Sequence, residues 1–390
     1  MTRSRPRPRS LLRGTLAVCL CLILADAKAG STEQARRIHD RLTGVPPTAE
    51  TLAGMTAQID AGDATAAAFI ALTNPAFYNT TVREFATPFS NRDRSIYTDL
   101  NDTTATIVGM VRDAVPFDRV LFEDIVYIGS NAATNVAFAA NDNAHYLDLQ
   151  SEGVDLSDPG MLVQSTQSAL TDLDAAATAG VMTSRGFSEA FLVAGTNRAA
   201  VRFAMLNFMC LDQEDLRDVT AWPDRIRQDV TRSPGGDSAI FLNDCLACHA
   251  GLDGLAGAFA YYDFDPDLTQ LVYTNGNVQP KYLRDAGVFR NGFRTLGDSW
   301  VNYWRTGPNS HIGWSGMGSG TGAKSLGQEL AQTRRFAECQ VQRVFEKVCH
   351  RTPNGTADVN AVQTIANAFE ADNRNMQTAF AHVAVHCMGD

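Results

Sequence analysis

The sequence predicts a mainly α protein built from several helical segments. Apolar residues recur three and four positions apart through much of the chain, as in Leu52, Met55 and Ile59, or Val341, Phe345 and Val348. Short breaks rich in Pro and Gly separate these stretches, among them Thr43-Gly44-Val45-Pro46-Pro47, Asn74-Pro75 and Thr352-Pro353-Asn354-Gly355. In the N-terminal half no long run alternates with the period of two of a half-buried strand, and no glycine motif for a nucleotide occurs. With 390 residues and 45% hydrophobic content, the chain is long enough for one or two real cores.

Residues 1–29 read as a secretory signal peptide. Five arginines lie within Met1 to Arg13, and Leu11 to Ala25 is apolar except at Arg13, Gly14 and Thr15. The triplets Ala25-Asp26-Ala27 and Ala27-Lys28-Ala29 put cleavage near residue 27 or 29. The apolar run is short for a membrane span, so an uncleaved anchor is the second reading. The expected location is the periplasm, with no membrane span after cleavage. Removing 1–29 takes six basic and one acidic side chain from totals of 33 and 43, leaving 27 and 42 and a formal charge of −15. Such a surface disfavours nucleic acid and anionic lipid, and it suits a partner with a basic docking face.

Residues 30–236 are expected to form an N-terminal helical domain. Helices are read at Ser31–Leu42, from Thr48 as N-cap, at Ala64–Leu72, Tyr78–Phe89 and Ile107–Ile128 (one or two, joined at Pro116), then at Leu162–Ala179 and Thr196–Cys210. Gly129 to Asp158 reads as a long wrapping loop. Leu211 to Gly236 is polar and reads as an arm leading to the next segment. Residues 325–390 read as a C-terminal helical domain with helices at Ser325–Gln332, Arg334–Cys349, Asp358–Glu370 and Asn373–Cys387, the last three stacked through short loops.

Residues 237–324 carry the chemistry. Cys245-Leu246-Ala247-Cys248-His249 is a C-x-x-C-H stretch in a chain that looks exported. Two thiols three positions apart, with an imidazole directly after, are the attachment signal for one covalent haem c. The thiols add across the two vinyl groups of the porphyrin, and His249 reaches the iron. A zinc site or a redox dithiol are the rivals, but no second Cys or His pair follows and no βαβ pattern precedes. The segment is therefore expected to be a cytochrome c-like haem domain. The glycines after His249 are expected to lie close to the porphyrin. Asp253 is expected to bond backbone or to orient the Nδ1 proton of His249, and Tyr261 and Tyr262 to meet a propionate or line the core. For the second iron ligand Met317 comes first, in a glycine loop after a helix-like Leu296–Trp304; His311, another residue or an open position are the alternatives. His249 and Met317 are thus the candidate metal ligands.

Of the eight cysteines, Cys19 and Cys21 fall in the signal and two in the motif. The first and third of the last three helices run the same way, which sets Cys349 near Cys387. Cys339 lies about 15 Å along a helix from Cys349, too far to bridge it, so it is expected to pair with Cys210.

The chain resembles the exported cytochrome c-like monohaem proteins of the planctomycete and myxobacterial domain-of-unknown-function type. The resemblance lies in Arg41-Leu42-Thr43-Gly44-Val45-Pro46-Pro47-Thr48, in Ala179-Gly180-Val181-Met182-Thr183, in the haem motif and in Phe336 to Cys349. After the motif Asp253 and Asp263 match the family pattern, whereas Gly254, Ala256 and Ala260 replace its Pro, Gly and Glu. The resemblance implies a periplasmic haem protein. The functional expectation is a monohaem c-type cytochrome in electron transfer to a periplasmic redox partner. The length of the chain keeps a haem-dependent oxidoreductase, peroxidase-like or with haem as an accessory redox centre, as the alternative. A haem-bearing assembly subunit is the third reading.

Overall fold

The computed structural model describes residues 29–193, 195–283 and 287–389. The expected signal peptide lies outside the described residues, except for Ala29. Among the described residues the chain is mainly α, with few short strands. Among the described residues no helix is long and apolar enough to cross a membrane.

The helix Asp102–Arg112 is buried at every position from Asp102 to Val111. A helix covered on all sides belongs at the centre of a core. Helices Ser31–Thr43, Ala49–Asp60 and Ala64–Leu72 pack together, and the first and third of these also pack against the last helix, Met376–His386. That helix stacks with Arg334–Cys349 and Gly355–Ala371, and Arg334–Cys349 in turn packs on Arg198–Met209. One contiguous apolar core therefore runs from Ala35 to Ala384, and it includes Leu252, Phe259, Trp300 and Trp304 of the motif segment.

Among the described residues three two-stranded antiparallel ribbons decorate the helices. They are β1 (Val126–Gly129) with β2 (Leu162–Ser165), β3 (Tyr262–Asp265) with β4 (Gln270–Tyr273), and β5 (Ser299–Val301) with β6 (Ser319–Thr321). Three expected helices are corrected by these ribbons: residues 126–128, read as the end of a helix, lie in β1, and of the expected helix Leu162–Ala179 only Gln167–Leu170 is helical. Leu162–Ser165 is a strand because β1, over thirty residues earlier, offers it a partner. Ser299–Val301 is likewise a strand paired with residues 319–321. Trp300 and Val301 favour extended backbone once a partner exists. The expected wrapping loop at 129–158 contains the helix Ala144–Ser151.

Disulfides join Cys210 to Cys339 and Cys349 to Cys387, with Cα–Cα separations of 5.3 and 5.8 Å. The first fixes the end of the Arg198–Met209 helix to the C-terminal stack, where Arg335 also donates to the carbonyls of Met209 and Cys210. The bridges span sequence separations of 129 and 38 residues. Replacing either pair by serine is expected to lower the unfolding free energy by about 2–4 kcal/mol, the longer loop losing more. Urea unfolding of the two double variants checks the size and the order.

Candidate cofactor-attachment site

The motif sits at the start of a helix. Asp237 caps the entry, its side chain accepting from Ala239 N–H at 2.8 Å. A π-helical turn, Phe241–Cys245, then feeds the helix Leu246–Ala256. Such wide turns concentrate at functional sites. Positions three and four apart share a helix face, so Cys245, Cys248 and His249 project from one side.

The opposite side of this helix is packed without gaps. A Cβ on Gly251 would come within 2.1 Å of the Trp304 indole, one on Gly254 within 2.7 Å of the Val301 carbonyl oxygen, and one on Gly257 within 2.3 Å of that of Ser299. The glycines thus let β5 and Trp304 approach the helix; they do not face the thiol side, as the sequence reading had them. Tyr262 is buried and donates to the Ala177 carbonyl at 2.5 Å, which makes it part of the core wall.

Both motif thiols are unbonded and half-buried. Cys248 Sγ lies 3.7 Å from the carbonyl oxygen of Gln213. Burial, followed by the charge of Glu214, pushes its thiol up. His249 is held from behind: its Nδ1 lies 3.2 Å from Asp253 Oδ1, one turn on. Asp253 has a fully covered side chain. It accepts from Arg198 Nε at 2.5 Å and Nη2 at 2.8 Å, and from Arg227 N–H at 3.2 Å. Arg198 forks again to Asp229 at 2.7 and 2.9 Å. Burial alone would raise the carboxyl pKa of Asp253, but the hydrogen bonds and charge of Arg198 outweigh it and hold the group well below the usual range. Asp229 is shifted the same way, with Arg198 again outweighing burial. An ionised carboxylate only accepts, so Nδ1 of His249 carries the proton. No hydrogen bond to Nε2 occurs among the described residues.

These features fit a haem. Among the described residues no group of three or more His, Cys, Asp or Glu converges on a point where a metal ion would sit. A planar group bonded at its edge and ligated at its centre needs side chains spread along a face. Large exposed apolar side chains also gather in the segments bordering the motif: Ile240 and Leu242 in the entry turn, Val219 and Trp222 in the arm. The arm is fixed to the motif by Asp218 N–H to the Ala247 carbonyl and by Arg217 to the Asn243 carbonyl, both 3.0 Å. An apolar macrocycle would cover such surface.

Met317 sits in a loop anchored to Glu329 of a later helix. It is 63% exposed, and its loop is pinned by the buried Glu329. Glu329 accepts from Gly318 N–H at 3.0 Å, Asn302 Nδ2 at 2.8 Å and Arg305 at 2.8 Å, while Asn302 N–H donates to the Gly318 carbonyl at 2.8 Å. Asn302 follows β5, which lies on the glycine side of the motif helix, roughly half a turn round from His249. His311 is exposed, with Nδ1 at 2.7 Å from the Pro308 carbonyl. The buried His145 uses both nitrogens, on the Val136 carbonyl and on Gly129 N–H. Sequence reasoning missed Arg198, Asp229 and Arg227. They lie tens of residues from the motif, and no local spacing marks them.

Comparison with family models, with characterised proteins and with solved structures finds no match to this chain.

The acid limb of stability follows from the lowered carboxyls. A carboxyl whose folded pKa is depressed contributes stability that is complete above its unfolded value of about 4 and is lost as pH falls through the folded value. The contribution of Asp253 and Asp229 to the unfolding free energy is therefore expected to be flat in pH just above 5 and to fall below about 4. Asp229→Asn is expected to make that fall shallower, as read by urea unfolding between pH 2 and 6.

Proposed function

We propose that the chain is an exported monohaem c-type cytochrome that carries electrons between periplasmic partners. One observation carries the reading: two unbonded thiols and an imidazole with an unengaged Nε2 share one accessible face of one helix. Cys245 and Cys248 would hold the haem covalently, and His249 would bind its iron through Nε2. When bound, haem supplies a one-electron iron couple. The chain fixes the imidazole through Asp253, supports the helix from behind with Trp304, and offers an apolar border at Trp222, Ile240 and Leu242. Its excess of carboxylates suits a redox partner with a basic face. The resemblance to exported cytochrome c-like proteins supports the same reading.

The anchoring of the 313–318 loop by Glu329 favours a second reading, a haem-dependent oxidoreductase. With the loop held so, Met317 would stay off the iron and a small exogenous molecule would have room to bind there.

Expression of the full chain with a haem-attachment system is expected to give a mass gain of one porphyrin and a pyridine haemochrome signal. Cys245→Ser with Cys248→Ser should abolish both. An unmodified mass for the parent chain overturns the proposal. Met317→Ala is expected to leave the oxidised spectrum unchanged, while loss of a long-wavelength charge-transfer band would mean that the loop moves to the iron. Cyanide and carbon monoxide separate the two readings: an iron indifferent to both favours electron transfer, and rapid binding favours the enzyme.

A further inference from the structure

The Asp253 network gives the axial imidazole a support that the attachment motif itself does not require. Asp253 follows His249 by four positions, so it lies on the same side of the helix one turn on. Its side chain is wholly covered, and both oxygens are engaged: Oδ1 by Arg198 Nε and His249 Nδ1, Oδ2 by Arg198 Nη2 and Arg227 N–H. The two bonds to Arg198 are short, at 2.5 and 2.8 Å, and the one to the imidazole is longer, at 3.2 Å. The carboxylate is therefore shared unequally, with the guanidinium taking the larger part. Arg198 is itself placed by Asp229 on its other edge and by the start of its own helix.

We infer that Asp253 is the positioning residue for the axial imidazole, fixing His249 as the Nδ1–H tautomer with Nε2 turned to the thiol face, and that Arg198 limits how strongly Asp253 pulls on that proton. The consequence concerns the iron's potential. A carboxylate behind a ligating histidine raises the basicity of the ligand. A more basic ligand stabilises the oxidised iron and lowers the potential. Arg198 draws off part of the carboxylate's charge and moderates the effect. The pair acts as a setting, with Asp253 pushing the potential down and Arg198 restraining it.

This rests on the haem reading, and two measurements keep the two apart. The first uses the full chain without haem, labelled with 15N-histidine. Neutral His249 is expected to show the Nδ1–H pattern in the unsubstituted protein; an Nε2–H pattern overturns the inference. The second uses the haem-loaded chain and its midpoint potential. Asp253→Asn retains an acceptor for Nδ1–H and removes the charge, so the potential should rise. Arg198→Lys retains the charge and loses the two-pronged contact. Asp253 then turns more fully to the imidazole, and the potential should fall. Opposite signs are the signature, because a merely structural loss moves both variants the same way. Equal signs, or no shift in either, overturn the inference. If Asp253→Asn does not fold, the tautomer of the unsubstituted chain and the sign for Arg198→Lys still decide it. A parent chain that takes up no haem overturns the functional proposal, while the 15N spectrum still tests the tautomer.

Discussion

The buried contact between Arg198 and Asp253 is the constraint on which the motif region depends. It joins the first residue of one core helix to the middle of the motif helix, and through Asp229 and the Arg227 backbone it gathers the arm as well. Two charges removed from water are tolerated when every donor and acceptor is met, and Asp253 accepts four hydrogen bonds. Losing one partner would strand the other, which typically costs about 3–5 kcal/mol. The motif helix therefore cannot rotate or slide without breaking this contact, and the face it presents is set before any group binds to it.

The remainder of the fold holds that helix from the other side. Gly251, Gly254 and Gly257 admit Trp304 and β5 to backbone distance, and Trp304 belongs to the core shared with the N- and C-terminal helices. The C-terminal stack is the meeting point of the architecture. It contacts the first and third helices and the helix that begins at Arg198, and a disulfide fastens the last of these contacts. A small cluster of Ala221, Ile226, Val230, Phe241 and Ala250 fills the space between the arm and the motif. Cys245 packs partly against that cluster, while Cys248 and His249 stay half-exposed.

Much of this was legible in the residues. The 3.6 periodicity marked the C-terminal helices to within a few residues at their ends, because their apolar stripes meet one another at short range. The cysteine pairing was legible because a helix has a fixed rise, which forbids a bridge between Cys339 and Cys349. The ribbons were not legible: Leu162–Ser165 and Ser299–Val301 take their conformation from partners far along the chain, and their local pattern reads equally as helix. At the site, the three motif residues and Asp253 follow from spacing alone. Arg198 and Asp229 do not, since only the packing of separate segments brings them to Asp253. Met317 looked well placed because a glycine loop follows the motif at a suitable distance, but the buried acceptor that claims the loop, Glu329, lies on a later helix.

The Cys210–Cys339 bridge has a consequence for biogenesis. In chain order the two motif thiols fall between its ends, and any chain threaded across a membrane from its N-terminus releases Cys210 well before Cys339. The first sulfhydryls that Cys210 meets are then those of the motif. A premature bond to either would block the native crosslink and consume a motif thiol. Were such a chain exported, an oxidising catalyst that acted before Cys339 emerged would favour the wrong bond.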